Sequence, residues 1–521
     1  MHSETANATA PPLLQRPGND RGEKDTERKK FAALQNSFLA QFEQYFPDKL
    51  APKTVVVIPS LTLDPEILGK IEGVNYYEER MLCMLLLLRM PNTHVVFITS
   101  MPIDPVILDY YLHLLPGITA YHARQRLTLL SCFDSSSLSL TQKILNRPKL
   151  VRRIRDSIPP NHMAHLSCFT VTEAERKLAN ALDLPVYGCN PDLAHLGNKS
   201  NGRKLFRSCH IPTPRGVEDL HTKAEIIEAL FQLKQSNPHL RKAVVKINEG
   251  FSGEGNAVFS FAGASVGHDL EVWLWDRFTE QLQVIARGLS VVDFLEKFCS
   301  EGGIVEEFID GEIKQSPSVQ CRINPLGIVD VISTHDQALG GENGQVYLGA
   351  SFPANAAYAK TLAQMGRTVA EELKNYGVLG RFAIDFISVK EGEHWKHYAI
   401  EINLRKGGTT HPYLMLQFLT CGKYNAEEGV FYTANGYPRY YRCTDNLQDD
   451  RYKGLTPHDL IDIAMCNELM YDGTLQEGVM FHLISALSQY GKLGIVCIGA
   501  TPERASFFYH KTVHILNGAN D

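Results

Sequence analysis

Apolar residues change their spacing several times along the chain, and each change marks an element. Phe31, Leu34, Phe38, Phe42 and Phe46 recur three or four apart, which predicts an amphipathic helix over 31–46. Beyond Pro52 the pattern becomes short β-branched runs at 54–58, 95–99 and 127–131, as buried parallel strands require. Helical stretches around 77–88 and 105–115 lie between them. This alternation predicts an open α/β sheet. A second unit starts near Leu196, with a helix at 199–208, a Pro-rich turn at 210–216, a helix at 222–235 and a strand at 243–247. Strands at 303–308, 319–323, 328–333, 381–389 and 397–403 follow, with a helix at 360–376 before the last pair. The C-terminal part predicts a helix near 456–471, apolar strands at 479–484 and 493–498, and a closing helix after Thr501.

The expected fold class is therefore α/β, in four parts: a disordered tail over 1–30, an α/β domain over 31–195, a second domain over 196–424 and a small α+β domain over 425–521. The tail assignment rests on polar composition without the charged start and apolar stretch of a secretory signal. Lys plus Arg is 52 against 58 Asp plus Glu, a net charge of −6, which argues against a broad nucleic-acid footprint. The longest apolar run, 81–90, contains Arg89 and is about half of the ~20 residues a bilayer needs, so no membrane partner is expected. The 11 cysteines form neither a CxxC pair nor a His/Cys metal spacing, and read as free thiols of a cytoplasmic protein.

Three segments carry chemistry. The strand at 243–247 delivers Lys246 to a loop with Gly250, Phe251, Ser252, Gly253 and Gly255. Glycines let backbone N–H groups approach phosphate oxygens, and a fixed lysine adds charge. No Gly-Lys-Ser/Thr closes the loop, so it is not a Walker A loop, and by itself it is equally a hairpin turn. Next, Glu306, Glu307, Phe308 and Ile309 end a strand ahead of Asp310, Gly311 and Glu312. An adenine edge needs a backbone donor, a backbone acceptor and apolar cover, while a nearby carboxylate can hold ribose hydroxyls; an edge strand with solvated acids fits the same letters. The third segment is the most specific. Asp385 on one strand, and Glu401 with Asn403 on the next, share the face opposite Phe382, Ile384, Phe386, Ile400 and Ile402. Three converging oxygen donors suit Mg²⁺ shared with phosphates. Arg405 follows by two residues and can grip two oxygens of an acyl phosphate or a substrate carboxylate. The loop 406–412 beside it is small and flexible, and His411 within it is a candidate base or a structural residue.

In this order the segments resemble the ATP-grasp superfamily of carboxylate–amine ligases over about 196–424. Thr334-His-Asp-Gln337, Gly344-Gln-Val-Tyr-Leu-Gly349-Ala-Ser-Phe-Pro353 and the run from Glu401 to Pro412 look like those of the pheganomycin-type peptide ligases. The resemblance implies two α+β lobes clasping ATP, a pre-ATP-grasp domain before them and a small domain after. It implies phosphate contacts from Lys199 and Lys246, a phosphate loop at Gly250, Phe251, Ser252 and Gly253, an adenine hinge at Glu306, Glu307, Phe308 and Ile309, and a ribose carboxylate at Glu312. It also implies metal ligation by Asp385, Glu401 and Asn403, with two Mg²⁺ ions for which Mn²⁺ substitutes. Arg381 would stand near the transferred phosphate, making Lys246, Arg381 and Arg405 the catalytic set. A further lysine that many relatives carry near Asp336 or Gln337 is absent, with Lys314 or Arg322 as stand-ins. The implied partners are a small-molecule carboxylate and an amine, with a homodimer as the default assembly. The implied reaction is amide formation through an acyl phosphate, releasing ADP and phosphate. The alternatives are a small-molecule kinase or a non-catalytic nucleotide-binding scaffold.

Overall fold

The β-branched runs pair as parallel strands. Lys53–Ile58 lies between Thr93–Thr99 and Met163–Cys168, and Leu127–Ser131 pairs outside Thr93–Thr99. The computed structural model describes residues 20–63, 68–69, 71–250, 255–264, 269–286, 288–340 and 346–518. Met163–Cys168 escapes periodicity because His165 and Ser167 interrupt its apolar run, yet all of it is buried. His165 stacks on Phe38, within an aromatic box completed by Phe46 and Tyr187.

The first helix spans Asp20–Tyr45. This corrects the expected tail over 1–30, since 20–30 is helical and 1–19 lies outside the described residues. Its polar turns are anchored by charge instead of burial: Lys30 Nζ reaches Asp183 at 3.2 Å and Arg28 reaches Asp192 at 3.3 Å. The stretch expected as a helix over 77–88 is Val74–Arg89, wound as a 3-10 helix with Met81 to Leu86 and Leu88 buried.

Two antiparallel sheets follow. A five-stranded sheet runs Gly216–Leu220, Gly303–Glu307, Lys242–Ile247, Asn256–Ser260, Leu282–Val284. It has its own core around Leu230, Val245, Phe259, Leu274 and Phe298. An eight-stranded sheet runs His394–Asn403, Gly380–Glu391, Lys314–Ile323, Val329–Gly340, Val346–Phe352, Tyr440–Gln448, Lys492–Gly499, Gly478–His482. Strands on both sides of residue 424 thus share one sheet. Helix Ala359–Asn375 covers one face of it, where a Cβ on Gly366 would meet Val319 at 2.6 Å, so a side chain there would push helix and sheet apart. Leu82 and Leu86 of the 3-10 helix and Val496 of the C-terminal strands join this sheet's core. The two lobes therefore have separate cores, with a cleft between them. No described helix is long and apolar enough to cross a membrane.

Candidate active site

The cleft has a volume of about 580 Å³ and is lined from both antiparallel sheets, the 3-10 helix and the C-terminal strands. Strand parity builds its floor. Phe382 and Ile384 are buried away from the cleft, while Ala383, Asp385 and Ile387 line it; a register shift beside Asp385 brings Phe386 and Ile400 to the lining as well, correcting their expected place on the opposite face. Asp385 stands directly opposite Glu401 in the ladder. Gln337 Nε2 and Asn403 Nδ2 donate to Asp385 at 3.0 and 2.9 Å, and Asn403 Oδ1 accepts from Arg405 Nη2 at 3.1 Å. The three residues expected as metal ligands thus meet, with the Asn403 amide nitrogen turned to Asp385 and its oxygen to Arg405. Burial, then the charge of Glu401, pushes the Asp385 carboxyl up to about 6. Burial would raise Glu401 as well, but Lys199 in contact with it, helped by Arg405 and Lys246, holds it below the usual range. Lys199 opens helix Lys199–Ser208, which Asn198 caps, and its Nζ reaches Glu401 Oε1 at 2.6 Å.

The opposite wall carries Lys246. Its Nζ lies 2.5 Å from Glu306 Oε1, while Arg203 Nη1 takes the other oxygen at 2.8 Å. Glu306, expected at the hinge, thus anchors two cations. Glu307 Oε1 accepts the Arg215 N–H at 3.0 Å, and the Phe308 N–H donates to Lys242 O at 3.1 Å. All of Glu306, Glu307, Phe308 and Ile309 line the cleft, with Lys314 4.7 Å above the Phe308 ring. Gly250 lines it too, and a Cβ there would meet Gly255 Cα at 3.0 Å, which explains paired glycines in this hairpin. Phe251, Ser252 and Gly253 lie outside the described residues.

Arg405 lines the cleft ahead of Gly407, Gly408 and Thr409, which lead into the N-terminus of helix Thr410–Thr420. Backbone N–H groups and the helix dipole there favour an anion.

Two expected site residues are not brought to the cleft. Arg381 shares the face of Asp385 but sits four residues along the strand, about 13 Å away. It lies opposite Arg322 in the ladder and near Tyr187 and Tyr413; burial, then Arg322, lowers it to about 10. Its placement beside the transferred phosphate is corrected on that ground. Glu312 is exposed in the turn after the hinge and does not line the cleft. Of the two stand-in cations, Lys314 lines the cleft, whereas Arg322 pairs with Asp330 at 2.5 Å. His411 is buried against His482, Nε2 to Nε2 at 2.9 Å, away from the cleft lining, which supports the structural alternative. Among the described residues no three His, Cys, Asp or Glu side chains cluster as a metal site, so a cation here would rest on two carboxylates, an amide and phosphate oxygens.

Sequence reasoning missed one end of the cleft. Tyr77 and Arg80 come from the 3-10 helix, Asp445 and Asn446 from a bulge in Tyr440–Gln448, and Lys492 from the neighbouring strand. The charges of Tyr76-Tyr-Glu-Glu-Arg80 were the available signal, and they read equally as helix capping.

A family model described as IQCH-like, ATP-grasp matches residues 191–267 and 290–427, and one described as PGM1 C-terminal domain matches 459–512. The L-propargylglycine–L-glutamate ligase of Streptantibioticus cattleyicolor is 29% identical over 474 residues, which span 89% of this chain and 94% of that protein. The IQ motif-containing protein H of Danio rerio is 22% identical over 399 residues, 68% of this chain and 38% of that protein. Among solved structures, the ADP complex of N5-carboxyaminoimidazole ribonucleotide synthetase superposes with a TM-score of 0.50 at 12% identity, covering 91% of this chain and 99% of that one. Biotin carboxylase from Campylobacter jejuni gives 0.51 at 12% identity, covering 88% and 89%. Two structures at that identity establish the fold. With Lys199 on the carboxylate hairpin and Lys246 on the opposite wall of a cleft between separately cored lobes, and with an ATP-grasp family model and a ligase relative matching over the same stretch, the chain is similar to the ATP-grasp ligases over residues 191–267 and 290–427.

Proposed function

We propose that the cleft binds ATP, activates a small-molecule carboxylic acid as its acyl phosphate, and joins it to an amine. One observation carries the reading: Asp385 and Glu401 stand opposite each other on adjacent strands, with Lys199 in contact with one of them. Two carboxylates this close repel, which adds to burial in raising the Asp385 carboxyl, and a divalent cation relieves that repulsion. Two carboxylates and an amide oxygen are the hard donor set that Mg²⁺ takes, so Asp385, Glu401 and Asn403 would hold it. Bound there, two Mg²⁺ ions, or Mn²⁺ in their place, would neutralise the β- and γ-phosphates.

The side chains do the rest by position and charge. Lys199 and Lys246 exchange their carboxylate partners for phosphate oxygens. The hinge at Glu307 to Ile309 and the Phe308 ring hold the adenine. Arg405 and the helix start at Gly407 to Thr409 orient the carboxylate for attack on the γ-phosphorus, with ADP leaving. They then hold the acyl phosphate while the amine nitrogen attacks the acyl carbon, losing a proton as phosphate departs. Closure of the two lobes keeps water from that intermediate. We further propose a reducing cytoplasmic setting, which the free cysteines support, and a homodimer, which sedimentation checks.

Hydroxylamine trapping tests the reaction. With ATP and a substrate acid it yields a hydroxamate from an acyl phosphate and none from a kinase product. Glu401→Gln should abolish ADP release and keep a wild-type circular dichroism spectrum; continued turnover overturns the metal assignment.

A further inference from the structure

We infer that Arg80 and Lys492 form a subsite, at the end of the cleft away from the adenine hinge, for a carboxylate that does not react. The inference rests on the ligase reading and narrows its substrates: one of them is an amino acid or diacid carrying a spectator carboxylate. Both cations gather on one ring. The Arg80 guanidinium lies 4.1 Å from the Tyr77 ring centre, and Lys492 Nζ lies 5.0 Å from it and 2.6 Å from the Tyr77 hydroxyl. Asp445 Oδ2 pairs with Arg80 at 2.6 Å. Among the described residues no carboxylate pairs with Lys492, and Arg80 Nε has no hydrogen-bond partner.

Of the two cations only Arg80 thus has a carboxylate partner, in a place where Lys492 is only 8% exposed and the Arg80 side chain 14%. A desolvated ammonium without a counter-ion is unfavourable unless a ligand supplies one. Both residues line the cleft, as do Arg405 and Gly407. The Arg80 charge is also felt at Arg405. The reacting carboxylate therefore has its own cation in Arg405, and Lys492 with Arg80 is left for a second anionic group. A carboxylate fits because a guanidinium fork and an ammonium offer donors to both of its oxygens. Construction from three distant chain segments suits substrate choice: the Asp445 bulge and the 3-10 helix can vary without disturbing the phosphate floor.

The test uses the full chain, with Lys492→Met and the conservative Lys492→Arg. In the hydroxylamine assay, glutarate is compared with its monoamide, and L-glutamate with L-glutamine. In the ligation assay, L-alanine as the amine is compared with alaninamide. A subsite for the acid predicts a KM rise of about tenfold or more for glutarate or glutamate in Lys492→Met, with kcat within about twofold and the KM for ATP unchanged. A subsite for the amine predicts the same rise for alanine instead. In either case the matching amide shows no difference between the enzymes, and Lys492→Arg restores most of the affinity. Tyr77→Phe, which removes the hydroxyl that holds Lys492, gives a smaller rise and reads the site if Lys492→Met does not fold. Unchanged KM values in both series, or an equal rise for the amides, overturn the inference while the ligase reading stands. Absence of wild-type ADP release with every pair overturns both.

Discussion

Replacing Asp385 by Asn should stabilise the ligand-free protein while removing turnover. The Asp385 carboxyl rises from 3.8 to about 6 in the folded chain, through burial first and then the charge of Glu401. An acid whose folded value is raised loses native stability as pH climbs past its unfolded value, and the whole loss stands above the folded one. About two pH units correspond to about 3 kcal/mol at neutral pH. The uncharged amide of Asp385→Asn escapes that loss. It brings an N–H donor, however, to a position where Asp385 accepts from Gln337 and Asn403. One of those amides must turn, which returns about 1 kcal/mol. The net gain is about 2 kcal/mol near pH 7.5. Urea unfolding without metal or nucleotide measures it. At about pH 5 the carboxyl is largely protonated in the wild type, so the stability lost to it falls to about half. A variant less stable than wild type near pH 7.5, or a difference that does not shrink at about pH 5, refutes the reasoning.

Two further substitutions probe the walls. Glu306→Ala strands Lys246 and Arg203 without their shared, 2% exposed carboxylate and should cost about 3–5 kcal/mol in chemical denaturation, with Glu306→Gln milder. Arg381→Met should leave the KM for ATP unchanged and should not lower stability, because it removes a cation that faces Arg322 across the ladder; a large rise in that KM would restore Arg381 to the phosphate site.

What was legible in the sequence follows from period. The hairpin of Asp385, Glu401 and Asn403 alternates with Phe382, Ile384 and Ile402, so parity aimed the acids at one face, whereas Phe386 and Ile400, expected opposite, reach the cleft through the register shift beside Asp385. Parity carries no distance, which is why Arg381 had the right face and the wrong place. Helices whose apolar stripe meets the core were visible, Lys199–Ser208 among them. Met163–Cys168 and Tyr440–Gln448 were not, because buried polar residues such as His165, Thr444 and Asp445 break their runs. The distal charged cluster was invisible for a different reason. Arg80, Asp445 and Lys492 belong to three segments that meet only through sheet pairing and the packing of the 3-10 helix, and no local pattern joins them.

The unliganded arrangement also bears on how the lobes engage ATP. Each lysine proposed to contact phosphate rests on a carboxylate, Lys199 on Glu401 and Lys246 on Glu306, but the two pairs are not equivalent. Glu306 keeps Arg203 as a second partner, so Lys246 can turn to a phosphate without leaving a buried bare charge. Glu401 has Lys199 as its one direct partner among the described ion pairs, and stands opposite an acid. Moving Lys199 alone would leave two carboxylates facing each other in a desolvated floor, which is strongly unfavourable. The exchange at the floor is therefore coupled to arrival of a divalent cation, while the exchange at the opposite wall is not. Because the two walls belong to lobes with separate cores, the wall lysine can follow the nucleotide by a movement of its lobe. The floor lysine sits at the start of a helix packed on the carboxylate hairpin and must wait for the metal. On the proposed reading, metal and nucleotide would thus enter as one charge-balanced unit, and the cleft would close on that unit and not on either component alone.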